Sequence, residues 1–200
     1  MKRRRAPKGQ TASATGGGRL RIIGGEFRRR LLPVIERPGL RPTPDRVRET
    51  LFNWLAGVTP GARVLDLCAG TGALGLEALS RGAAEALLVE SDPRVTAALS
   101  DNLAALGISD DRARIVRCDA MRFLAGPPRH FDLVFLDPPF RQAMAAPCCA
   151  ALAGGWLAQD AWVYVETEAG LALEVPPDWA LHREVRAGHS HGRLYHCRQQ

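Results

Sequence analysis

The residues best equipped for chemistry stand in Phe131-Asp132-Leu133-Val134-Phe135-Leu136-Asp137-Pro138-Pro139-Phe140. Leu133 to Leu136 is a short run of branched and aromatic apolar residues, as expected of a strand buried on both faces. Asp137 ends it, and Pro138-Pro139 forbids both a continued ladder and an immediate helix. The Asp137 carboxylate and the carbonyls after it are thereby displayed at the carboxyl end of a central strand, where open α/β sheets bind ligands. Phe140 follows, with Arg141 and Gln142 rather than apolar neighbours beside it. A fixed set of acceptors with an aromatic plate at its edge suits a flat ring carrying an exocyclic amine. The plainer reading is a strand ending in a proline-stiffened turn, with Phe140 in the core; the rest of the chain decides between the two.

A second group lies upstream. Asp66-Leu67-Cys68-Ala69-Gly70-Thr71-Gly72-Ala73-Leu74-Gly75 joins an apolar run to a helical pattern. Glycines at 70 and 72 let backbone approach a ligand closely, and Gly75 permits tight helix packing. Glu90, 20 residues after Gly70, closes the next apolar run, where a carboxylate can accept both hydroxyls of a ribose. To this point a nicotinamide dinucleotide and S-adenosyl-L-methionine fit equally well. Three features favour the sulfonium compound. Asp66 faces the place where a dinucleotide puts its pyrophosphate; an acid there repels phosphate but can hold an amino-acid end. Cys118-Asp119-Ala120 closes a third run and offers a carboxylate to an adenine amine. Nothing near Asp137 is equipped for hydride chemistry. Each acid alone could be a helix cap, but Asp66, Glu90, Asp119 and Asp137 at successive strand ends point to methyl transfer.

These residues need a sheet to align them, and the pattern from Arg63 onward supplies one. Strands are expected at Val64–Cys68, Ala86–Glu90, Arg114–Cys118, Leu133–Leu136 and Ala161–Val165. Helices at Ala73–Leu79, Pro93–Leu106, Ala120–Leu124 and Met144–Ala153 alternate with them. Such alternation gives a doubly wound α/β sheet with helices on both faces. The ending differs: residues 181–185 and 193–197 form a closing antiparallel hairpin around Gly188 to Gly192. Five parallel strands followed by a hairpin is unusual for a dinucleotide-binding domain.

The first quarter of the chain reads differently. Residues 1–50 hold 14 Lys and Arg against 4 acids, and the remaining residues 13 against 17. Such asymmetry is the electrostatic footprint of a polyanionic partner. Residues 1–18, rich in Arg, Lys, Ser, Thr and Gly, are expected to form a disordered basic tail. Residues 19–60 form a hairpin and helix extension, and 61–200 the methyl-transfer domain. Gly24-Gly25 between runs of β-formers signals the hairpin turn, studded by Arg19, Arg21, Arg28, Arg29 and Arg30. Thr43-Pro44-Asp45 then opens a helix with Thr43 as N-cap, and Val47, Leu51, Trp54 and Leu55 as its packing stripe.

Five cysteines without framework spacing (Cys68, Cys118, Cys148, Cys149, Cys197) read as reduced thiols. His182, His189, His191 and His196 lack metal-ligand spacing, so no metal is expected. No apolar run approaches the roughly 20 residues that span a bilayer, and a cytoplasmic protein is expected.

Arg21-Ile22-Ile23-Gly24-Gly25, Leu40-Arg41-Pro42-Thr43 with Arg46-Val47-Arg48-Glu49-Thr50-Leu51-Phe52-Asn53-Trp54-Leu55, Asp66 to Gly75 with Leu76-Glu77-Ala78-Leu79-Ser80-Arg81, and Asp137 to Phe140 together resemble the bacterial RsmD family. The resemblance runs from about Arg19 to the carboxyl end. It implies a Rossmann-like class I methyltransferase that uses S-adenosyl-L-methionine to modify the N2 amine of one guanine in 16S ribosomal RNA. The substrate would be an assembling small-subunit particle and the enzyme a monomer. By position, Asp66, Ala69, Gly70, Gly72, Glu90, Ser91, Asp119 and Ala120 would hold the cofactor. Asp137, Pro138, Pro139 and Phe140 would hold the guanine, and Arg21, Arg28, Arg30, Arg41, Thr43 and Arg46 the RNA. The residues themselves leave two alternatives, an adenine-N6 methyltransferase acting on DNA or RNA and a catalytically silent RNA-binding module.

Overall fold

The computed structural model describes residues 18–35, 43–140 and 142–198. The basic tail, apart from Gly18, and Arg41 lie outside the described residues. From the glycine turn onward the chain alternates as expected. Strands β3 (Arg63–Asp66), β4 (Glu85–Glu90), β5 (Ala113–Arg117), β6 (Phe131–Leu136) and β7 (Leu157–Glu168) are joined by helices α2 (Ala73–Ser80), α3 (Pro93–Leu106), α4 (Ala120–Leu124) and α5 (Ala145–Leu152). Helix α1 (Asp45–Trp54) precedes them, and strands β8 (Trp179–Ala187) and β9 (Ser190–Arg198) close the chain.

The seven strands run in the order β5-β4-β3-β6-β7-β9-β8, parallel from β5 through β7. Strand β9 pairs antiparallel with β7, and β8 with β9. The last strand therefore sits inside the sheet and the one before it at the edge. Burial explains the inversion: β9 places Leu194, Tyr195 and Cys197 in the core, whereas β8 buries only Trp179. A strand with little apolar surface is best left at the rim.

One face of the sheet carries α1, α2 and α3, with Leu51, Phe52, Leu76, Leu99 and Phe135 in its core. The other carries α4 and α5, with Leu65, Val134, Cys148, Cys149, Leu152 and Trp156. Burial there pushes the Cys148 thiol up to about 11 and Cys149 to about 12, so both are inert apolar fillers.

The amino-terminal strands β1 (Arg19–Arg21) and β2 (Leu31–Pro33) pair antiparallel, with Leu20 opposite Leu32. Their connection is wider than a two-residue Gly-Gly turn. Gly24 and Gly25 are instead pressed against the end of α2: Ile23 and Gly24 donate their N–H groups to the Glu77 carboxylate at 2.8 and 2.9 Å, and Phe27 N–H donates to Ser80 Oγ at 2.9 Å. Gly25 has φ +76°, and a Cβ there would collide with the Ser80 carbonyl, so glycine is required for docking rather than for the turn. The extension shares the α1–α3 core through Leu20, Ile22, Phe27 and Leu32. Helix α2 is consequently buried on all sides, and Glu77, fully buried within it, also receives Arg48 at 3.4 Å and Arg81 at 2.7 Å.

Candidate active site

Strand order makes the site. From β3 the chain moves outward to β4 and β5, then returns to place β6 on the other side of β3. The carboxyl ends of β3 and β6 thus flank a topological switch point, the position at which open α/β sheets bind ligands. Asp66 pairs in register with Phe135, so Asp137 stands two residues beyond it on the neighbouring strand. Asp66 and Asp137 alternate with Leu65 and Leu136, which point to the α4–α5 face; both acids therefore project to the α1–α3 face.

Asp66 is buried, and its Oδ2 accepts the Gly75 N–H at 2.9 Å. Burial, reinforced by Glu90, pushes its carboxyl up to about 7. Gly75 allows this contact, because a Cβ there would strike Leu88 and crowd the Asp66 carboxylate. Gly70 and Gly72 both have positive φ, 51° and 76°, giving the tight turn that glycine permits. Glu90 braces that turn from β4: Gly70 N–H donates to its Oε2 at 3.0 Å and Asp92 N–H to its Oε1 at 2.8 Å, with Ser91 Oγ at 3.4 Å. Ala69 is held by its N–H to Val89 carbonyl bond of 2.9 Å. Asp119 is exposed and caps α4, accepting Arg122 N–H at 3.0 Å, with Ala120 buried behind it.

Asp137 is half-buried; Thr43 Oγ1 donates to its Oδ2 at 3.4 Å. Thr43 does not serve as the expected cap of α1: the helix begins without a side-chain cap, and the hydroxyl reaches across to β6 instead. Burial raises the Asp137 carboxyl well above the ordinary carboxylate value, with Glu166 and Asp66 adding to it. Pro138 is buried, Pro139 exposed, and the Phe140 side chain 40% exposed. Phe140 therefore stands at the mouth rather than in the core.

Two further residues belong here that sequence reasoning misses. Leu136 pairs with Val165, which sets Glu166 beside Asp137 on β7. Glu166 is 4% exposed and Tyr164 fully buried; the Tyr164 hydroxyl donates to Glu166 Oε2 at 3.0 Å. The available signal is a fifth strand-end acid, hidden because the apolar pattern of the strand stops at Val165.

The arginines divide into two groups. Arg21 pairs with Asp45 at 2.6 Å, and Arg30 donates to the Ala105 carbonyl at 2.6 Å. Arg28, Arg29 and Arg46 are exposed and make no ion pair with a described residue. His191 pairs with Glu184 and His196 with Asp160. Among the described residues no group of three His, Cys, Asp or Glu side chains is gathered as a metal site requires, and no helix is long and apolar enough to cross a membrane.

The topological switch point, the glycine turn and the acidic strand ends define a Rossmann-like class I methyltransferase fold. The solved RNA methyltransferase of Salinibacter ruber in complex with S-adenosyl-L-homocysteine, 19% identical, shares it over 80% of this chain and 95% of that one with a TM-score of 0.62. The family model described as conserved hypothetical protein 95 matches residues 20–196, and the chain belongs to that family, the RsmD family. It is 52% identical to the ribosomal RNA small subunit methyltransferase D of Escherichia coli strain K12, over 90% of this chain and 91% of that protein. The namesake of Haemophilus influenzae is 44% identical over 93% and 97%. The solved structure of Escherichia coli yhhF, 52% identical, superposes with a TM-score of 0.83 over 92% of this chain and all of that one.

Proposed function

We propose that this protein transfers a methyl group from S-adenosyl-L-methionine to the exocyclic N2 amine of a guanine in 16S ribosomal RNA, within a small-subunit assembly particle. The observation that carries this reading is the Asp66–Asp137 pair on one face of adjacent strands, with Phe140 exposed at the rim. The donor set fits the cofactor. Asp66 suits its cationic amino-acid end, Glu90 its ribose hydroxyls and Asp119 its adenine amine, whereas the Asp66 carboxylate would repel a pyrophosphate. Naming of the relatives as small-subunit ribosomal RNA methyltransferases supports the substrate.

When bound, the cofactor supplies an electrophilic methyl group on a sulfonium. The remaining work falls to the chain. An aryl amine is a weak nucleophile because its lone pair is delocalised into the ring. Asp137 and the Pro138 carbonyl accept its two N–H bonds, favouring a pyramidal nitrogen whose lone pair points at the cofactor. Orientation and preset acceptors then provide most of the acceleration. The amine becomes strongly acidic once alkylated, and Asp137 takes the released proton. Phe140 stacks on a base drawn out of its helix or loop. Exposed Arg28, together with Arg46 and Arg41, meets the phosphate backbone, while Arg21 and Arg30 act from paired positions and Thr43 orients Asp137.

Incubating small-subunit particles with tritiated cofactor, then digesting the RNA to nucleosides, tests the assignment. Label in N2-methylguanosine is expected. Label in N6-methyladenosine would establish the adenine alternative, and absence of cofactor binding in calorimetry the silent RNA-binding module.

A further inference from the structure

An acceptor for an exocyclic amine does not by itself distinguish guanine from adenine. The two bases differ at the neighbouring ring nitrogen: guanine carries an N1–H donor beside its amine, adenine an N1 lone pair. A site that selects guanine therefore needs a second acceptor directly beside the first, since N1 and the exocyclic amine are attached to the same ring carbon.

Glu166 stands in that place. It is the strand neighbour of Asp137, since Leu136 pairs with Val165. Tyr164, two residues earlier, lies in the α1–α3 core, so strand alternation turns Glu166 to the same face as Asp137. Its Oε2 is held by the Tyr164 hydroxyl at 3.0 Å, while Oε1 has no hydrogen-bond partner among the described residues. Tyr164 is itself fixed: Gly192 pairs with Glu166 on β9, and any Cβ there would collide with the tyrosine hydroxyl. A buried carboxylate with one oxygen anchored and one uncommitted, beside the amine acceptor, is a preset hydrogen-bond acceptor.

We propose that Glu166 is the specificity-determining residue of the site, accepting N1–H of the target guanine while Asp137 accepts from its N2 amine. The proposal rests on the guanine-N2 reading above. Adenine would turn its N1 lone pair toward the Glu166 carboxylate, leaving a buried acceptor opposed to another acceptor.

2-Aminopurine isolates this contact, because it keeps the exocyclic amine of guanine but has a lone pair at N1. Small-subunit RNA is ligated with either guanine or 2-aminopurine at the position the enzyme methylates, and kcat/KM is measured on both. The wild type is expected to prefer guanine. In Glu166→Gln the amide can donate to the purine N1, and the guanine preference is expected to fall by roughly tenfold or more, the scale of one hydrogen bond to a charged group. An unchanged preference, or equal loss of activity on both bases, overturns the proposal. Cofactor calorimetry and the melting temperature of Glu166→Gln establish that the variant is folded. Tyr164→Phe separates anchoring from selection: it lowers stability while guanine stays preferred, and a collapse of preference equal to that of Glu166→Gln would assign the selection to the tyrosine and refute the role given to Glu166. Nucleoside analysis of the wild-type product is done first, so that label on adenine would defeat the guanine-N2 reading separately.

Discussion

At the scale of single residues, Asp137 and Asp66 make different predictions although they neighbour one another. On the proposed mechanism, Asp137→Ala removes the acceptor for the reacting amine. Turnover in the tritium-transfer assay should fall about 10²- to 10³-fold or more, with calorimetric affinity for the cofactor nearly unchanged; a variant retaining substantial activity would refute the role. Asp66 makes itself felt through pH. Its carboxyl is pushed up to about 7 by burial, from the ordinary 3.8, so the folded protein keeps a proton that the unfolded chain has already lost between those values. Its contribution to stability is therefore full below about pH 4 and is lost as pH rises through about 7. Asp137, also raised, acts in the same sense. Asp45 and Asp132, held low by arginine partners, act oppositely, but only below their ordinary value of 3.8. Urea denaturation of the cofactor-free protein should show stability falling between about pH 5 and 7 by on the order of a few kcal/mol. Asp66→Asn should flatten part of that slope. Asp66 and Asp137 were legible in the sequence because glycines or prolines follow where their strands stop, and Glu90 and Asp119 because each closes an apolar run. Glu166 was not, because the apolar run ends at Val165, and its proximity to Asp137 depends on pairing between strands distant in sequence.

At the scale of elements, the amino-terminal extension is fastened through buried charge. Arg48, fully buried, reaches Glu77 at 3.4 Å, Asp45 at 2.6 Å and the Arg21 carbonyl at 2.9 Å. Removing one member of such a set strands the others without compensation. Arg48→Ala should cost about 3–5 kcal/mol in urea denaturation and speed limited tryptic cleavage at Arg28–Arg30 by loosening the docked extension. The alternation of strands and helices could be read directly, since its hydrophobic periods are local. The wide hairpin connection could not. Gly24-Gly25 carries the usual signature of a tight turn, and only the Ser80 carbonyl and Glu77 carboxylate reveal that these glycines serve a helix about 50 residues away in the chain. Thr43 misleads for a similar reason: a good N-cap by type, it finds its partner across the site.

At the scale of the whole molecule, positive charge collects on the extension and acid on the sheet. Arg28, Arg29 and Arg46 should therefore contribute to affinity for RNA by neutralising phosphates. Filter binding of naked small-subunit RNA by the triple alanine variant should show log Kd depending less steeply on log salt, by roughly 0.7 for each phosphate no longer neutralised. An unchanged slope would remove these arginines from the interface. The order of the last two strands was beyond sequence reading, because it depends on which of them offers more apolar surface to the sheet.

The docking of the hairpin onto α2 has one more consequence. Because Glu77 clasps Ile23 and Gly24 from the same helix whose Gly75 N–H holds Asp66, the arginine-bearing arm is joined to the strand-end carboxylates through one helix. On the proposed function, a polyanion gripped at the arm would be presented at a set reach and angle, as a caliper fixes the gap between its jaws. Selection of a nucleotide along the strand would then become a matter of length, before any base edge is read.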